Sequence, residues 1–256
     1  MVKKILLYIL SLVMISNLCS CSKDLNIQIE KCVLVSEYDK NTTIDQMRTI
    51  KFGSYYQKNI SIKEPIEWIV LDKQDGKALL LSKYILDCKC YNNDNIETAW
   101  EKSSLRYWLN NEFYNIAFSN EEQNKIQITN VINNNNIDYG TFGGNNTYDK
   151  IFCLSIDETR KYFGNGTKGQ YGYIIGKKIA TRGTNYAKKV DNGGENIYIS
   201  DLVGNWCIGN SEYWLRSPGN TEWKAALVSI QGYVGSTGND VGNFVTGVRP
   251  AMWVSY

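Results

Sequence analysis

The sequence contains no histidine and only three prolines, and outside its first twenty residues it has no long apolar run. Without an imidazole, no Ser-His-Asp or Cys-His arrangement can operate. The same absence, with no CxxC pair, argues against a zinc centre. A GxxxxGK[ST] loop is missing, and Gly164-Asn165-Gly166 lacks the strand-to-helix setting of a dinucleotide fingerprint. No EF-hand loop is present either, so no metal and no cofactor is expected. Excess charge of either sign is also lacking. Removing the first twenty residues takes Lys3 and Lys4 from the 28 basic residues and leaves them equal to the 26 acidic ones. A neutral balance gives no footprint for nucleic acid or for a polybasic membrane patch.

The N-terminus has an address. Lys3 and Lys4 precede an apolar stretch from Ile5 to Ile15, too short for a good bilayer span. Leu18-Cys19-Ser20-Cys21 follows, with a branched residue and a small residue set before Cys21 as in a bacterial lipobox. Residues 1–20 are therefore read as a lipoprotein signal peptide. Cys21 is the lipidation site, and the protein is expected on the outer face of the bacterial cytoplasmic membrane. Five cysteines remain beyond Cys21: Cys32, Cys88, Cys90, Cys153 and Cys207. An odd number cannot all pair within the chain, so buried or free thiols are expected.

Residues 21–46 are polar with a weak apolar patch, which predicts a lipidated N-terminus and tether. The domain is placed at residues 47–256. Ile50 to Gly53, Tyr55 to Gln57 and Pro65 to Leu71 read as strand, loop, strand. Asp75-Gly76 is a hairpin turn signal, and Ala78 to Ser82 is a strand buried on both faces. Thr98 to Asn111 predicts a helix with a capping box from Thr98 and Glu101 and a stripe of Leu105, Trp108 and Leu109. Ser119 or Asn120 caps a second short helix, and Ser155 or Asp157 a third. Asn133 to Asn136 and Gly140 to Asn146 read as a long polar loop. From Trp206 onward come four short strands and glycine turns. This order predicts one α+β domain with an antiparallel C-terminal sheet.

The terminal block carries the most specific pattern: Tyr213-Trp214-Leu215-Arg216-Ser217-Pro218-Gly219, Ala225 to Val228, Gly232 to Gly235, and Gly247 to Val254. With Phe52-Gly53, Pro65 to Trp68, Trp100 to Asn110, Phe113 to Asn115 and Phe152 to Ser155, it resembles the DUF6273 family over residues 48–256. The resemblance implies a C-type-lectin-like fold: two helices and a mainly antiparallel, twisted sheet closed by the C-terminal strand. It also implies a loop-rich half that carries any site. Formylglycine-making oxidases of that wider fold need a cysteine pair, and Cys207 has no second thiol at matching spacing. Its calcium lectins use Glu-Pro-Asn or Gln-Pro-Asp loops, and Glu64-Pro65-Ile66 fits neither.

Glu64 with Glu67 and Glu121 with Glu122 could do acid–base work, but solvated surface or helix capping accounts for them. No catalytic residue is assigned. The 18 Tyr and 7 Trp point instead to recognition. Trp68, Trp108, Trp214 and Trp253 sit in apolar runs and are assigned to the core. Trp206, Trp223, Tyr233, Asn239 and Asp240 are the expected ligand contacts, with Gly238-Asn239-Asp240 and Gly242-Asn243 as outward-facing turns. Arg216 and Arg249 are expected as structural fork donors. The function expected is a surface-anchored, non-catalytic binding module for a carbohydrate, cell-wall or protein ligand. The alternatives are an enzyme of the formylglycine-oxidase type or another hydrolase, and a structural envelope component. A flat, aromatic-rich face would favour the binding module. A concave site with convergent polar groups and a perturbed pKa would favour the enzyme.

Overall fold

The computed structural model describes residues 24–188 and 209–256. In chain order the strands are β1 (Ile50–Tyr56), β2 (Lys63–Gln74), β3 (Lys77–Ser82), β4 (Asp87–Cys88), β5 (Thr129–Val131) and β6 (Thr147–Asp149). They continue as β7 (Thr167–Gly169), β8 (Gly172–Ile174), β9 (Tyr213–Pro218), β10 (Lys224–Val228), β11 (Tyr233–Asp240), β12 (Gly247–Val248) and β13 (Ala251–Ser255). Helical segments are α1 (residues 24–30), α2 (Ser104–Trp108), α3 (Tyr114–Ala117), α4 (Asn120–Gln123) and α5 (Ile156–Phe163). The fold class is α+β.

Two sheets dominate: a four-stranded one in the order β1-β2-β3-β13 and a seven-stranded one in the order β4-β12-β9-β10-β11-β8-β7. A small β5-β6 pair completes the set. Pairing is antiparallel except between β12 and β9. The Asp75-Gly76 turn joins β2 to β3 with positive φ at both residues, the geometry that matches strand twist. β3 is buried from Ala78 to Ser82, as its continuous apolar run predicts. Trp68, Trp108 and Trp214 are buried and Trp253 is half-buried. Phe52, Tyr55, Phe113 and Phe118 interlock as an aromatic cluster, with Phe113 edge-on to both Tyr55 and Phe118.

The C-terminus departs from the expected single sheet. Five strands follow residue 209 in place of four, and the last of them leaves its neighbours. β12 is the chain's last strand in the seven-stranded sheet, lying between β4 and β9, and Arg249-Pro250 then carries the chain across so that β13 pairs with β3. Pro250 has no N–H to give a ladder, but its carbonyl accepts from the Ser82 N–H at 2.9 Å. The helix expected from Thr98 also begins later. A short 3-10 turn occupies Trp100–Lys102, and Ser103 caps α2 by accepting from the Arg106 N–H. Thr98 is spent locally on the Ile96 carbonyl, and Glu101 reaches Asn145 instead of closing a box. α2 runs through a π turn at Leu109–Phe113 into α3. Of the alternative caps expected, Ser119 and Ser155 are the ones used, and each closes a capping box, with Glu122 and Glu158.

Residues 24–46, expected as part of a tether, are packed onto the domain. Leu25, Ile29, Cys32, Val35 and Ile44 are all buried in the main core. The apolar patch there is one face of α1 and of the turns that follow. Cys32, Cys90 and Cys153 are free thiols, and Cys88 is buried with its Sγ against the Phe244 and Thr246 carbonyls.

Candidate functional site: an uncharged aromatic cleft on the seven-stranded sheet

β10 and β11 form a hairpin whose turn is closed by the Ser229 N–H on the Tyr233 carbonyl at 2.8 Å. Side chains alternate along β11. Val234 and Ser236 point inward and are buried, while Tyr233, Gly235 and Thr237 keep partial exposure on the other face. β8 pairs with the far edge of β11, setting Gly172 beside Gly235 and Ile174 beside Tyr233. A Cβ at Gly172 would fall 1.8 Å from the Val234 carbonyl, so glycine is what lets the two strands meet here. Gly169 and Gly172 bracket a two-residue hairpin loop, Gln170-Tyr171, which leaves Tyr171 standing 63% exposed.

These elements enclose a cleft of about 570 Å³ lined by Tyr171, Leu227, Ser229, Gln231, Tyr233, Gly235, Thr237 and Gly238. Leu227 lies opposite Gly235 across the β10–β11 ladder. The missing side chain at Gly235 opens the depression between Tyr233 and Thr237. Tyr171, Tyr233 and Leu227 supply its aromatic and apolar surface, and Ser229, Gln231 and Thr237 its hydroxyl and amide groups. No lining residue carries a formal charge.

The asparagine-rich loop, expected to be solvated, closes against one end of this face. The Asn136 amide is buried and donates to the Pro218, Gly219 and Ser236 carbonyls at 2.8, 3.1 and 2.8 Å. Its oxygen accepts from the Asp138 and Tyr139 N–H groups. Tyr139 is thereby set with its hydroxyl 3.1 Å from Thr237 Oγ1. Asp138 accepts from Ser236 Oγ at 2.5 Å, from Tyr173 Oη at 2.9 Å, and from Lys168. Burial works to raise the Asp138 carboxyl, but the bonds from Lys168, Ser236 and Tyr173 outweigh it and hold it below the ordinary range.

Of the expected contacts, Tyr233 lies in the cleft. Trp223 sits at the opposite end of β10, 44% exposed, with its indole N–H on Glu97 Oε1 at 3.0 Å. Asn239 and Asp240 are not at a turn. They continue β11 and pair with Ala225 and Lys224, because Gly238 takes a positive φ of 75° at a bulge and keeps the strand going. Gly242 is in a turn, as expected. Cys21, Cys207 and Trp206 lie outside the described residues.

Arg216 is 2% exposed. It donates to the Cys153 carbonyl at 2.8 Å, the Ile132 carbonyl at 3.0 Å, Asn133 Oδ1 at 3.2 Å and both oxygens of Glu158. Arg249, 1% exposed, has no carboxylate partner among the described residues. It donates to the Ser82 and Ile179 carbonyls and to Tyr213 Oη, each at 2.9 Å. Burial pulls the Arg249 pKa below its ordinary value, against the Tyr213 hydroxyl. Tyr213 itself is buried.

Glu64 pairs with Lys58, Glu67 pairs with Lys83, and Glu122 closes the Ser119 box. Glu121 lines a smaller hollow of about 380 Å³ between α1 and α4, among charges of both signs. Burial raises the thiols of Cys32 and Cys90 and pushes Cys153 up to about 12, the reverse of what a nucleophilic thiol needs. Burial likewise raises the carboxyls of Asp87 and Glu212, neither of which lines either hollow.

Tyr171 and Tyr139 were not singled out from the sequence. A weak signal existed for the first, since Gly169-Gln170-Tyr171-Gly172 is a two-residue turn that presents an aromatic. Tyr139 had none, because its position depends on Asn136 finding carbonyls about 80 to 100 residues away.

What these features define is an α+β domain with one half-open aromatic face. Residues 75–256 match the model of DUF6273, a domain of unknown function, and the chain belongs to that family. The match begins at the β2–β3 turn and so leaves out Phe52-Gly53 and Pro65 to Trp68, although β1 and β2 hydrogen-bond into the sheet of β3. No curated protein and no solved structure matches the chain.

Proposed function

We propose that this protein is a non-catalytic binding module for an uncharged saccharide, held at the outer face of the cytoplasmic membrane by lipid on Cys21. The observation that carries this is the lining of the 570 Å³ cleft: tyrosine faces, hydroxyls, an amide and a glycine floor, with no charge. Sugars present apolar C–H faces and polar rims, and the cleft offers the complement of both. Pockets of this kind bind through apolar surface and orient through few polar groups. Tyr adds contact area with little conformational entropy to lose. The lining contains no carboxylate, thiol or cation to move a proton or attack a carbon, which favours binding over turnover.

A C-type-lectin-like fold is part of the same proposal. β1 and β13 lie in one sheet, and α2 to α5 fall between β4 and β7 in the chain. Calcium is not invoked, since the cleft lining has no carboxylate to hold it.

The test is calorimetry of the protein against a panel of neutral oligosaccharides, β-linked glucose, β-linked N-acetylglucosamine and mannose among them. Wild type is compared with Tyr233→Ala and Gly235→Leu. Binding that both substitutions abolish, at unchanged melting temperature, supports the proposal. No binding to any neutral glycan overturns it. Release of shortened sugar would turn it toward the hydrolase alternative, and capture of cell-wall protein alone toward an envelope component.

A further inference from the structure

The cleft described above does not stop at Thr237. We infer that it continues onto Tyr139, so that the site takes a run of several sugar units and not a single ring. This rests on the glycan proposal and deepens it.

Three observations carry the inference. The first is length. Tyr233 and Thr237 are four residues apart on one face of β11, which at about 3.3 Å per residue sets them at most about 13 Å apart, less what the bulge by Gly238 takes up. That exceeds one pyranose ring and suits a short chain of them. The second is the placement of aromatics. Tyr233 occupies one end, Tyr171 stands past Gly235 with its carbonyl accepting from the Ser236 N–H at 3.1 Å, and Tyr139, 47% exposed, touches Thr237 at the other end through its hydroxyl. Between Tyr233 and Thr237 lies Gly235, which raises no side chain to interrupt a chain.

The third is the fixing of Tyr139. A surface tyrosine on a free loop would lose much of its binding energy to ordering. Here the residues just before it are tied down. Asn136 spends its whole side chain on five backbone groups, and Asp138 is held by Ser236, Tyr173 and Lys168. Both anchors grip the inward side of β11, so the strand that floors the cleft also holds the loop that extends it. The Lys168–Asp138 pair cancels its own charge, which keeps the far end as neutral as the near one.

The experiment uses the full chain in detergent micelles and titrates ladders of one to five N-acetylglucosamine units and one to five glucose units. Affinity for the preferred sugar should rise about tenfold or more from the disaccharide to the tetrasaccharide, then level off. Tyr139→Ala should remove most of that gain and leave the monosaccharide and disaccharide affinities unchanged. Tyr139→Phe, which keeps the ring and drops the hydroxyl, should retain most of it. Melting temperature controls for folding. Affinity independent of chain length, or equal loss in Tyr139→Ala at every length, overturns the inference while the glycan proposal stands, provided Tyr233→Ala still abolishes binding. If neither ladder binds wild type, the inference fails. If the wider neutral panel also fails, the proposal beneath it fails too.

Discussion

The two main sheets meet the same constraint, a strand edge and a face to cover, and treat it differently. The four-stranded sheet is sealed. At its β1 edge the Lys51 N–H is capped by Gln28 and the Gly53 N–H by Glu122. At its β13 edge the Gln127 and Ser255 amides bond across to the opposite segment, and Phe152 bridges to Ala251. Its core strand, β3, is buried almost throughout. The seven-stranded sheet is sealed on one face of β11 and open on the other, where two tyrosines flank a glycine. Covering a sheet is what folding favours. A neutral, aromatic face left half-open beside a sealed one is therefore where the proposed glycan site is placed.

The two buried arginines sharpen this contrast. Arg249 belongs to the sealed half and joins the sheets where the chain crosses from β12 to β13. Arg249→Ala should have the largest effect of all, about 3 kcal/mol or more, because the Ser82 and Ile179 carbonyls and Tyr213 lose their donor while buried. Lysine should not rescue it, since one ammonium cannot reproduce the fork. Urea unfolding reads this directly. A loss under about 1 kcal/mol would break the distinction between the halves.

Arg216 serves the open half. Glu158→Gln should cost about 1–3 kcal/mol by weakening the paired contact with Arg216. Hydrogen exchange should then speed up in residues 132–139, which Arg216 and Asn136 hold, ahead of the four-stranded sheet. Uniform acceleration across both sheets would contradict a separate anchor for the loop.

Asp87 tests the sealed half by pH. It is buried, accepts from Tyr55 Oη at 2.6 Å and from the Cys88 N–H at 2.8 Å, and burial raises its carboxyl. A raised pKa in the folded state means that protonation favours folding. The stability from this group is complete below the ordinary value of 3.8 and is lost as pH rises through the folded value. Asp87→Asn should therefore flatten the fall in stability between acid and neutral pH. An unchanged slope would show that the site is not the titrating group.

The smallest effect on stability belongs to Gly235→Leu. An added Cβ would meet Leu227 at 3.6 Å, an ordinary contact, so the change should stay within about 0.5 kcal/mol. Binding should nonetheless disappear as the cleft fills. Unchanged binding at unchanged stability would move the site off β11.

Local chemistry made much of the fold legible. Asp75-Gly76, the serine caps at Ser119 and Ser155 and the β3 run each act over a few residues, and each is among the features expected. Non-local choices were hidden. Thr98 and Glu101 had the right spacing for a box, but Ile96 and Asn145 offered competing partners. Residues 24–46 read as polar because only one residue in three or four is apolar, yet that spacing buries Leu25 and Ile29 on one side of α1. Gly238-Asn239-Asp240 has turn chemistry but sits where β10 offers a pairing edge. The site was legible only at Tyr233. Its other parts come from the β7–β8 turn and the asparagine loop, brought together by bonds that no short-range pattern announces.

The most direct test of the open-face claim is an amide chemical-shift titration of the isotopically labelled chain with the neutral oligosaccharide that calorimetry ranks first. The account predicts perturbations at Tyr171, Ser229, Gln231, Tyr233, Gly235, Thr237 and Tyr139, with the four-stranded sheet silent. Perturbations confined to Trp223, Asn239 and Asp240, or to the hollow between α1 and α4, would contradict it.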